Sequence, residues 1–385
     1  MKRIFAIILA LSLLFTLSAC GQKPVDPADT PAQPSADKPA EPSNAPSAEP
    51  SEAPSKEPSE EPSEAPQLLY QNPLNGKAIA EPYAGRPVAI VINNIESALP
   101  QYGIGQADFI YELVTEGGIT RCLAIFSDVS NVGTIGPIRS TRTFFNNIAL
   151  SYDAPIIHCG GSQPGLAGHY NENGIRIDGW QHINEQYYGN YFFRDHERYN
   201  AGWSWEHTLF TNGTLVQTGL TEKGYTTHDD RFLALQPDEV NYGLQFAEVI
   251  NPDGEDAAKL TVNFRYGKTT SFSLNQETGL YEASQYGKAH IDAATGNTLA
   301  YRNVLVLCTE QWNVYEGDYD RSFYDLSGSG DGYFICDGKI VPIQWHHDDI
   351  RGSFTYTLTD GTPLTLGVGA TYVGITAAKD SVVYE

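Results

Sequence analysis

A proline-rich segment near the amino terminus limits what this chain can fold into. Residues 21–66 consist almost entirely of Pro, Ser, Ala, Glu and Asp, and proline recurs at every fourth position from Pro42 to Pro66. This composition lacks the apolar and aromatic side chains that offset ordering entropy, so it predicts a disordered spacer with local polyproline II character. Fully extended, the segment would reach roughly 140 Å. One interpretation is that natural selection maintains this length so that the segment crosses the cell wall. The other is a low-complexity linker whose length is not under selection.

The residues before the spacer have the features of a lipoprotein signal peptide. Residues 1–3 (MKR) are a basic start, residues 4–17 form an apolar run, and Leu17-Ser18-Ala19 directly precedes Cys20. The apolar run is shorter than the ~20 residues of a membrane-spanning helix. We therefore predict that residues 1–19 are removed and that Cys20 carries acyl chains on its thiol and amine. Residues 20–66 then tether an extracytoplasmic protein to the membrane.

The charge of the chain excludes one class of partner. The formal net charge is −23, of which the spacer contributes −7 and the signal peptide +2, so residues 67–385 carry −18. A surface this acidic repels phosphate backbones, and we expect no nucleic-acid partner. The membrane is expected as a partner only through the lipid anchor.

Four cysteines remain in the folded part, namely Cys122, Cys159, Cys308 and Cys336. An even number in an exported protein permits disulfides. Each of the four, however, lies within or at the end of an apolar run, where a reduced cysteine behaves as a small buried hydrophobe. Buried thiols are the favoured interpretation, and disulfides are the alternative.

Regular elements are evident in the first part of the folded region. Residues 86–92 (RPVAIVI) predict a buried strand. Strands at 108–116 and 119–127 flank Gly117-Gly118, which suits a tight hairpin. The hairpin's second strand is followed by a helical pattern at 144–152 and an apolar strand at 154–159, which together predict a βαβ unit.

That βαβ unit generates the site hypothesis. Its geometry would place both strand ends and the helix start at one edge of a sheet, where ligand crevices form. Helix amides, arginines and a glycine-rich turn are anion-binding groups. The sequence therefore predicts a site for an anion or other ligand formed by Asp128, Arg139, Ser140, Arg142, His158, Gly160, Gly161 and Ser162.

Plainer interpretations stay open for the same residues. Arg139 and Arg142 could pair with carboxylates such as Asp128 or Glu116, with Ser140 as an ordinary helix N-cap. The histidines show no metal-ligand spacing, no cofactor motif is present, and no serine-hydrolase elbow occurs, so no metal, cofactor or catalytic residue is assigned. The aromatic cluster at 187–205 could stack on sugar rings or peptide, although core packing is favoured.

From Leu233 onward, short strands separated by turn signals replace the helical pattern. The predicted fold class is α+β, with a mixed α/β N-terminal domain at 67–236 and a β-rich C-terminal domain at 237–385. The boundary is placed near Pro237.

Five short motifs together resemble a known family. They are RPVAIVINN (86–94), EGGITR (116–121), GPIRS (136–140), HCGGS (158–162) and GDGYF (330–334). This set resembles the YerB-like lipoproteins of Gram-positive bacteria over nearly all of the folded part. The resemblance implies a two-domain, lipid-anchored protein whose family has no established activity.

These observations favour a non-enzymatic envelope lipoprotein that binds an envelope protein, a wall polymer or a small anionic ligand. The alternative is a hydrolase or transferase acting on a wall polymer or an anionic small molecule. An enzyme should show titratable groups converging in a cleft, and a binding protein need not.

The lipid anchor can be tested directly. Cys20→Ala should release the protein from membranes or leave it unprocessed, because the thiol that receives the acyl chain is gone. Membrane fractionation and acyl labelling measure this. Fractionation and labelling identical to the parent would contradict the assignment of Cys20.

Overall fold

The structure is a computed structural model that describes residues 70–166, 169–170, 176–177, 180–228, 240, 242–316, 319–348 and 351–385. The expected signal peptide, Cys20, the spacer and the boundary near Pro237 all lie outside the described residues. Residues 64–385 form one compact unit. No helix of the described residues is long and apolar enough to span a membrane.

The described residues are folded mainly as β-strands. In the first part of the chain the strands are β1 (Tyr70–Gln71), β2 (Ala78–Ile79), β3 (Val88–Asn93), β4 (Phe109–Glu116), β5 (Ile119–Phe126), β6 (Thr134–Ile135), β7 (Ile156–His158), β8 (His169–Tyr170), β9 (Arg176–Ile177), β10 (His182–Asn184), β11 (Phe193–Arg194) and β12 (Leu209–Asn212). The α-helices are α1 (Thr143–Ser151), α2 (Gln163–Leu166), α3 (His196–Asn200) and α4 (Gly213–Lys223).

The later part of the chain supplies further strands, as its sequence predicted. They are β13 (Gln245–Ala247), β14 (Glu255–Asp256), β15 (Lys259–Asn263), β16 (Thr269–Asn275), β17 (Leu280–Gln285), β18 (Lys288–Ala289), β19 (Ala300–Tyr301), β20 (Asn303–Cys308), β21 (Gln311–Glu316), β22 (Tyr319–Tyr324), β23 (Gly328–Cys336), β24 (Lys339–His347), β25 (Thr355–Leu358), β26 (Thr365–Gly367), β27 (Thr371–Thr376) and β28 (Val382–Tyr384).

A mixed sheet of thirteen strands organises the part of the chain that the structure describes. Its main path is β10-β7-β3-β5-β4-β27-β20-β23-β24-β14. The central strands β3, β20 and β27 are buried along their whole length, which explains their uninterrupted β-branched and apolar sequences. Strand β27 lies between β4 and β20 and runs parallel to both, so early and late parts of the chain share one sheet.

The predicted hairpin is confirmed, and the predicted βαβ unit is wrong in one respect. Strands β4 and β5 pair antiparallel across Gly117 and Gly118, whose φ angles are +52° and +79°. Helix α1 does separate β5 from β7. However, β3 pairs antiparallel with β5 and parallel with β7, so β5 and β7 run in opposite directions. The expectation of a mixed α/β N-terminal domain is therefore only partly met, since strands predominate there too.

A second sheet is joined to the central one by a buried ion pair. This sheet has the path β18-β17-β16-β15-β28, with β19 paired to β17. Lys268, the residue directly before β16, lies with its Nζ atom 3.1 Å from Oε1 of Glu112 on β4, and both side chains are at most 3% exposed. Thr120, Thr270 and Tyr372 donate hydrogen bonds to the same carboxylate.

The surroundings of Glu112 keep it charged. Burial alone would raise the pKa of this carboxyl, but Lys268 and the three hydroxyl donors outweigh that effect and lower it. Removing one charge of a fully buried pair leaves the other uncompensated, which is strongly destabilising.

We expect Lys268→Met to lower the free energy of unfolding by about 3–5 kcal/mol, because Glu112 would be left buried without its counter-charge. The double variant Glu112→Gln/Lys268→Met should recover part of that loss. Lys259→Met, in an exposed pair with Glu385, is the matched control and should cost about 1 kcal/mol or less. Urea unfolding measures all three, and equal effects of the two Lys→Met changes would contradict the role of the pair.

Candidate functional site

Three parallel strands end together at one edge of the central sheet. These are β3, β7 and β10, whose last residues are Asn93, His158 and Asn184. The segment that precedes α1 crosses this edge: Arg139 N donates to Val91 O at 2.9 Å, and Cys159 N donates to Arg139 O at 3.1 Å. The carboxyl ends of parallel strands are where α/β sheets form ligand sites.

This edge brings together most of the residues that the sequence proposed. Thr141 N donates to Gly160 O at 3.1 Å, which holds the arginine-containing segment against the glycine turn. The residues gathered here are Arg139, Ser140, Arg142, His158, Gly160, Gly161 and Ser162.

Asp128 does not join them, and its assignment to this site is wrong. It follows β5, which runs antiparallel to β3 and β7, and so it lies at the opposite edge of the sheet. There it lines a cleft of about 570 Å³ with Tyr83, Ser127 and Tyr225. Arg86 in the same wall is paired with Asp153 at 2.7 Å. Asp128 is exposed and places a carboxylate in the wall of that cleft.

Two buried arginines share one carboxylate at the first edge. Arg142 donates to both oxygens of Glu116 at 2.5–3.1 Å, and Arg121 donates to Oε1 of Glu116 at 2.7 Å and to Ser140 O at 2.9 Å. The side chains of Arg121 and Arg142 are only 2% and 4% exposed. The ion-pair interpretation of Arg142 is therefore geometrically correct, but one carboxylate cannot neutralise two guanidinium groups.

The arginines have a clear effect on Glu116. Its burial alone would raise the pKa, but Arg121 and Arg142 lower it to about 2. Glu116 is thus charged at neutral pH, and the cluster of Glu116, Arg121 and Arg142 keeps a net positive charge.

Arg139 lies beside this cluster, and only part of its guanidinium group is paired. Its Nη1 atom is 3.1 Å from Oε2 of Glu206, and the two side chains are 24% and 50% exposed. Among the residues that the structure describes, its buried Nε atom has no hydrogen-bond partner. Because 24% of its side chain is exposed, the guanidinium group of Arg139 can donate hydrogen bonds to a ligand from solvent.

The backbone amides of the glycine turn at 160–162 are less available for binding an anion than the sequence predicted. Gly160 N donates to Asn184 Oδ1 at 2.8 Å, and Ser162 N donates to Thr141 O at 3.4 Å. Of the Gly160-Gly161-Ser162 turn that the sequence proposed for anion binding, the amides of Gly160 and Ser162 are therefore already used in internal hydrogen bonds. Ser140 is not the N-cap of α1 either, because that position is Arg142, whose side chain makes no capping bond.

His158 is committed to an internal hydrogen-bonded pair. Its Nδ1 lies 2.7 Å from Gly160 O, which assigns the ring proton to Nδ1, and its Nε2 therefore accepts a hydrogen bond from His182 Nδ1 at 2.9 Å. Burial lowers the pKa of His158 to about 3 and that of His182 to about 4, so both rings are neutral at physiological pH. The sequence did not reveal this pair, which depends on the parallel register of β7 and β10.

A series of contacts near Arg139 links Cys159 to Glu206. Cys159 Sγ donates to Glu185 Oε2 at 3.3 Å, and Arg194 lies 3.5 Å from Glu185 Oε1. The Arg194 guanidinium stacks 4.5 Å from the centre of the Trp205 ring, and Trp205 precedes Glu206, the partner of Arg139. Sequence reasoning missed Glu185 and Glu206, because neither belongs to a motif.

The aromatic cluster of residues 187–205 is divided between core and surface. Tyr191 and Phe192 are buried, which agrees with core packing. Tyr199 and Trp205 are instead 50% and 48% exposed, beside Arg194 and Glu206.

The four cysteines of the described residues are free thiols, as the sequence favoured. Burial, reinforced by Glu185, raises the pKa of Cys159 to about 12, so it is no thiolate nucleophile. No group of three or more His, Cys, Asp or Glu within the described ranges is placed to hold a metal ion.

Comparison with known proteins identifies the family. Residues 74–226 match the model for the N-terminal domain of "Protein of unknown function (DUF3048)", and residues 260–373 match the model for its C-terminal domain. The chain thus belongs to the YerB-like family, as the motifs predicted. It is 27% identical over 305 residues to the Bacillus subtilis protein named "Putative lipoprotein YerB". The aligned region covers 77% of this chain and 82% of the Bacillus subtilis protein.

The fold is also similar to a solved structure. The crystal structure of the YerB protein from Bacillus subtilis matches with a TM-score of 0.66 and 25% identity, covering 82% of this chain and 99% of that one.

The low pKa of Glu116 predicts an acid-dependent loss of stability. Because the folded pKa of about 2 lies below the ordinary value of 4.5, this contribution is fully present above pH 4.5 and is lost as the pH falls toward 2. In urea unfolding, the stability difference between the parent and Glu116→Gln should shrink by roughly 3 kcal/mol across that window. A difference that stays constant from pH 6 to pH 2.5 would contradict the ion-pair cluster.

Proposed function

We propose that this protein is a lipid-anchored, extracytoplasmic binding protein without enzymatic activity, and that it binds an anionic group of its ligand at Arg139 and Ser140, beside the buried positive charge of Arg121 and Arg142. The observation that carries the proposal is that buried Arg121 and Arg142 share the single carboxylate of Glu116. The lipoprotein name of the Bacillus subtilis relative supports the location.

Electrostatics support an anionic ligand in spite of the acidic chain. Guanidinium groups held in low-dielectric surroundings interact strongly with a nearby anion. A buried positive charge in excess is costly, and a bound anion would relieve that cost. Arg139 adds donors that reach solvent, with an exposed and therefore weakly held partner in Glu206.

An enzymatic function has less support at the same edge. His158 uses both ring nitrogens in internal hydrogen bonds, and Cys159 is held as a thiol. The groups best placed for contact with a ligand are arginines, which bind and orient anions but do not exchange protons at neutral pH.

The proposal is tested by melting experiments on the full-length protein with acetate, phosphate and sulfate. An anion present at 100 times its dissociation constant should stabilise the parent by about 2.7 kcal/mol. Arg139→Ala should abolish this stabilisation and cost about 1 kcal/mol or less by itself, since its ion pair is partly exposed. Lys339→Ala, which removes a charge from the exposed pair with Asp256, should respond to anions like the parent.

Arg142→Ala tests the excess positive charge of the cluster formed by Glu116, Arg121 and Arg142. It leaves Glu116 paired with Arg121 alone, so the excess positive charge is gone and none of the three anions should stabilise this variant. A parent that no anion stabilises would overturn the proposed function.

A further inference from the structure

The surface next to Arg139 carries an exposed aromatic platform. Trp205 and Tyr199 are about half-exposed, and their rings meet edge to face with centroids 5.3 Å apart. The Arg194 guanidinium stacks on the Trp205 ring, and Arg194 Nη1 donates to Trp205 O at 2.8 Å. An exposed aromatic ring surrounded by charged hydrogen-bonding groups is typical of a binding surface.

The platform is held rigidly by the residue that follows Glu206. His207 is buried, and its two ring nitrogens contact Asn93 Nδ2 at 3.0 Å and Ser97 Oγ at 3.1 Å. These contacts fix the 3-10 turn Trp205–His207 against the end of β3. Trp205 and Glu206 are therefore preorganised, which lowers the entropic cost of binding on them.

Arg139 and the aromatic platform of Trp205 and Tyr199 are linked through Glu206. Glu206 contacts Arg139 on one side and is joined through the backbone to Trp205 on the other. Arg139 and Trp205 are thus the two neighbours of Glu206, one through the ion pair and one through the backbone. Arg194 covers one face of the ring, and the exposed remainder of Trp205 offers apolar surface beside the donors of Arg194 and the acceptors of Glu206.

Resting on the proposed function, we infer that the ligand is an acidic oligosaccharide, with a carboxylate at Arg139 and a sugar ring stacked on Trp205. A sugar ring combines an apolar C–H face with hydroxyl groups at its rim, which matches the ring of Trp205 and its charged border. An acidic peptide matches the arginines but makes no comparable use of the platform. A small inorganic anion uses the arginines alone.

Calorimetry of the full-length protein with four probes tests this inference. The probes are trigalacturonate, maltotriose, triglutamate and acetate, which separate acidic sugar, neutral sugar, acidic peptide and carboxylate. We expect the parent to bind trigalacturonate most tightly. Trp205→Ala should weaken trigalacturonate binding about two- to tenfold, as expected for a lost aromatic contact, and leave acetate binding unchanged. Trp205→Phe should retain most of the affinity.

Trp312→Ala is the matched control, because Trp312 is also about half-exposed and stacks on Phe323 in the β21–β22 hairpin. It should bind all four probes like the parent. Equal losses for acetate and trigalacturonate in Trp205→Ala, or triglutamate binding as tight as trigalacturonate binding, would overturn the inference while leaving the anion site in place. A parent that binds neither acetate nor trigalacturonate would overturn the inference and the proposed function together.

Discussion

The buried contact between Glu112 and Lys268 joins the two sheets of this protein. Glu112 lies on β4, near the middle of the central sheet, and Lys268 directly precedes β16 of the smaller sheet. Buried charges are costly unless both are paired and hydrogen-bonded, so this contact forms only when both sheets are correctly placed. The pair therefore contributes more to a unique arrangement than to stability.

The polar network extends beyond that pair. Gln285 Nε2 donates to Asn94 Oδ1 at 2.9 Å, and His290 lies 2.6 Å from Gln101 Oε1. The carboxylate of Asp292 accepts hydrogen bonds from Gly103 N and Gly105 N. Residues far apart in the chain are thus tied together, which agrees with the single central sheet that early and late strands share.

The candidate site shows how a fold with an acidic surface can hold a positive centre. Arg121 and Arg142 are buried, so solvent and salt screen them little, while the acidic residues elsewhere lie mainly in water. The closeness of Glu116 reduces but does not cancel their charge. The same edge carries an aromatic surface at Trp205, so charge and apolar contact are available side by side.

Local patterns predicted several elements correctly. The alternation of apolar residues around Gly117-Gly118 gave the β4–β5 hairpin, and the apolar runs gave β3, β7 and β20. The later part of the chain was predicted to form short strands, whereas β23 and β24 are nine residues long and continue through glycine and proline residues that usually interrupt a strand. The meeting of Arg139, Arg142 and the glycine turn at one sheet edge was predicted correctly, but Asp128 was misplaced.

The sequence by itself determined the composition of the parts, namely a lipoprotein-like start, a proline-rich segment with few apolar residues, the apolar runs that become strands, and the arginines that suggest an anion site. Only the tertiary structure decided which strands are neighbours and in which direction they run. The order and direction of the strands place Asp128 at the far edge of the sheet, bring His158 next to His182, and bring Arg142 next to Glu116. Strand direction is fixed by long-range pairing and by the burial of groups such as Glu112, and no local pattern in the chain encodes either of them.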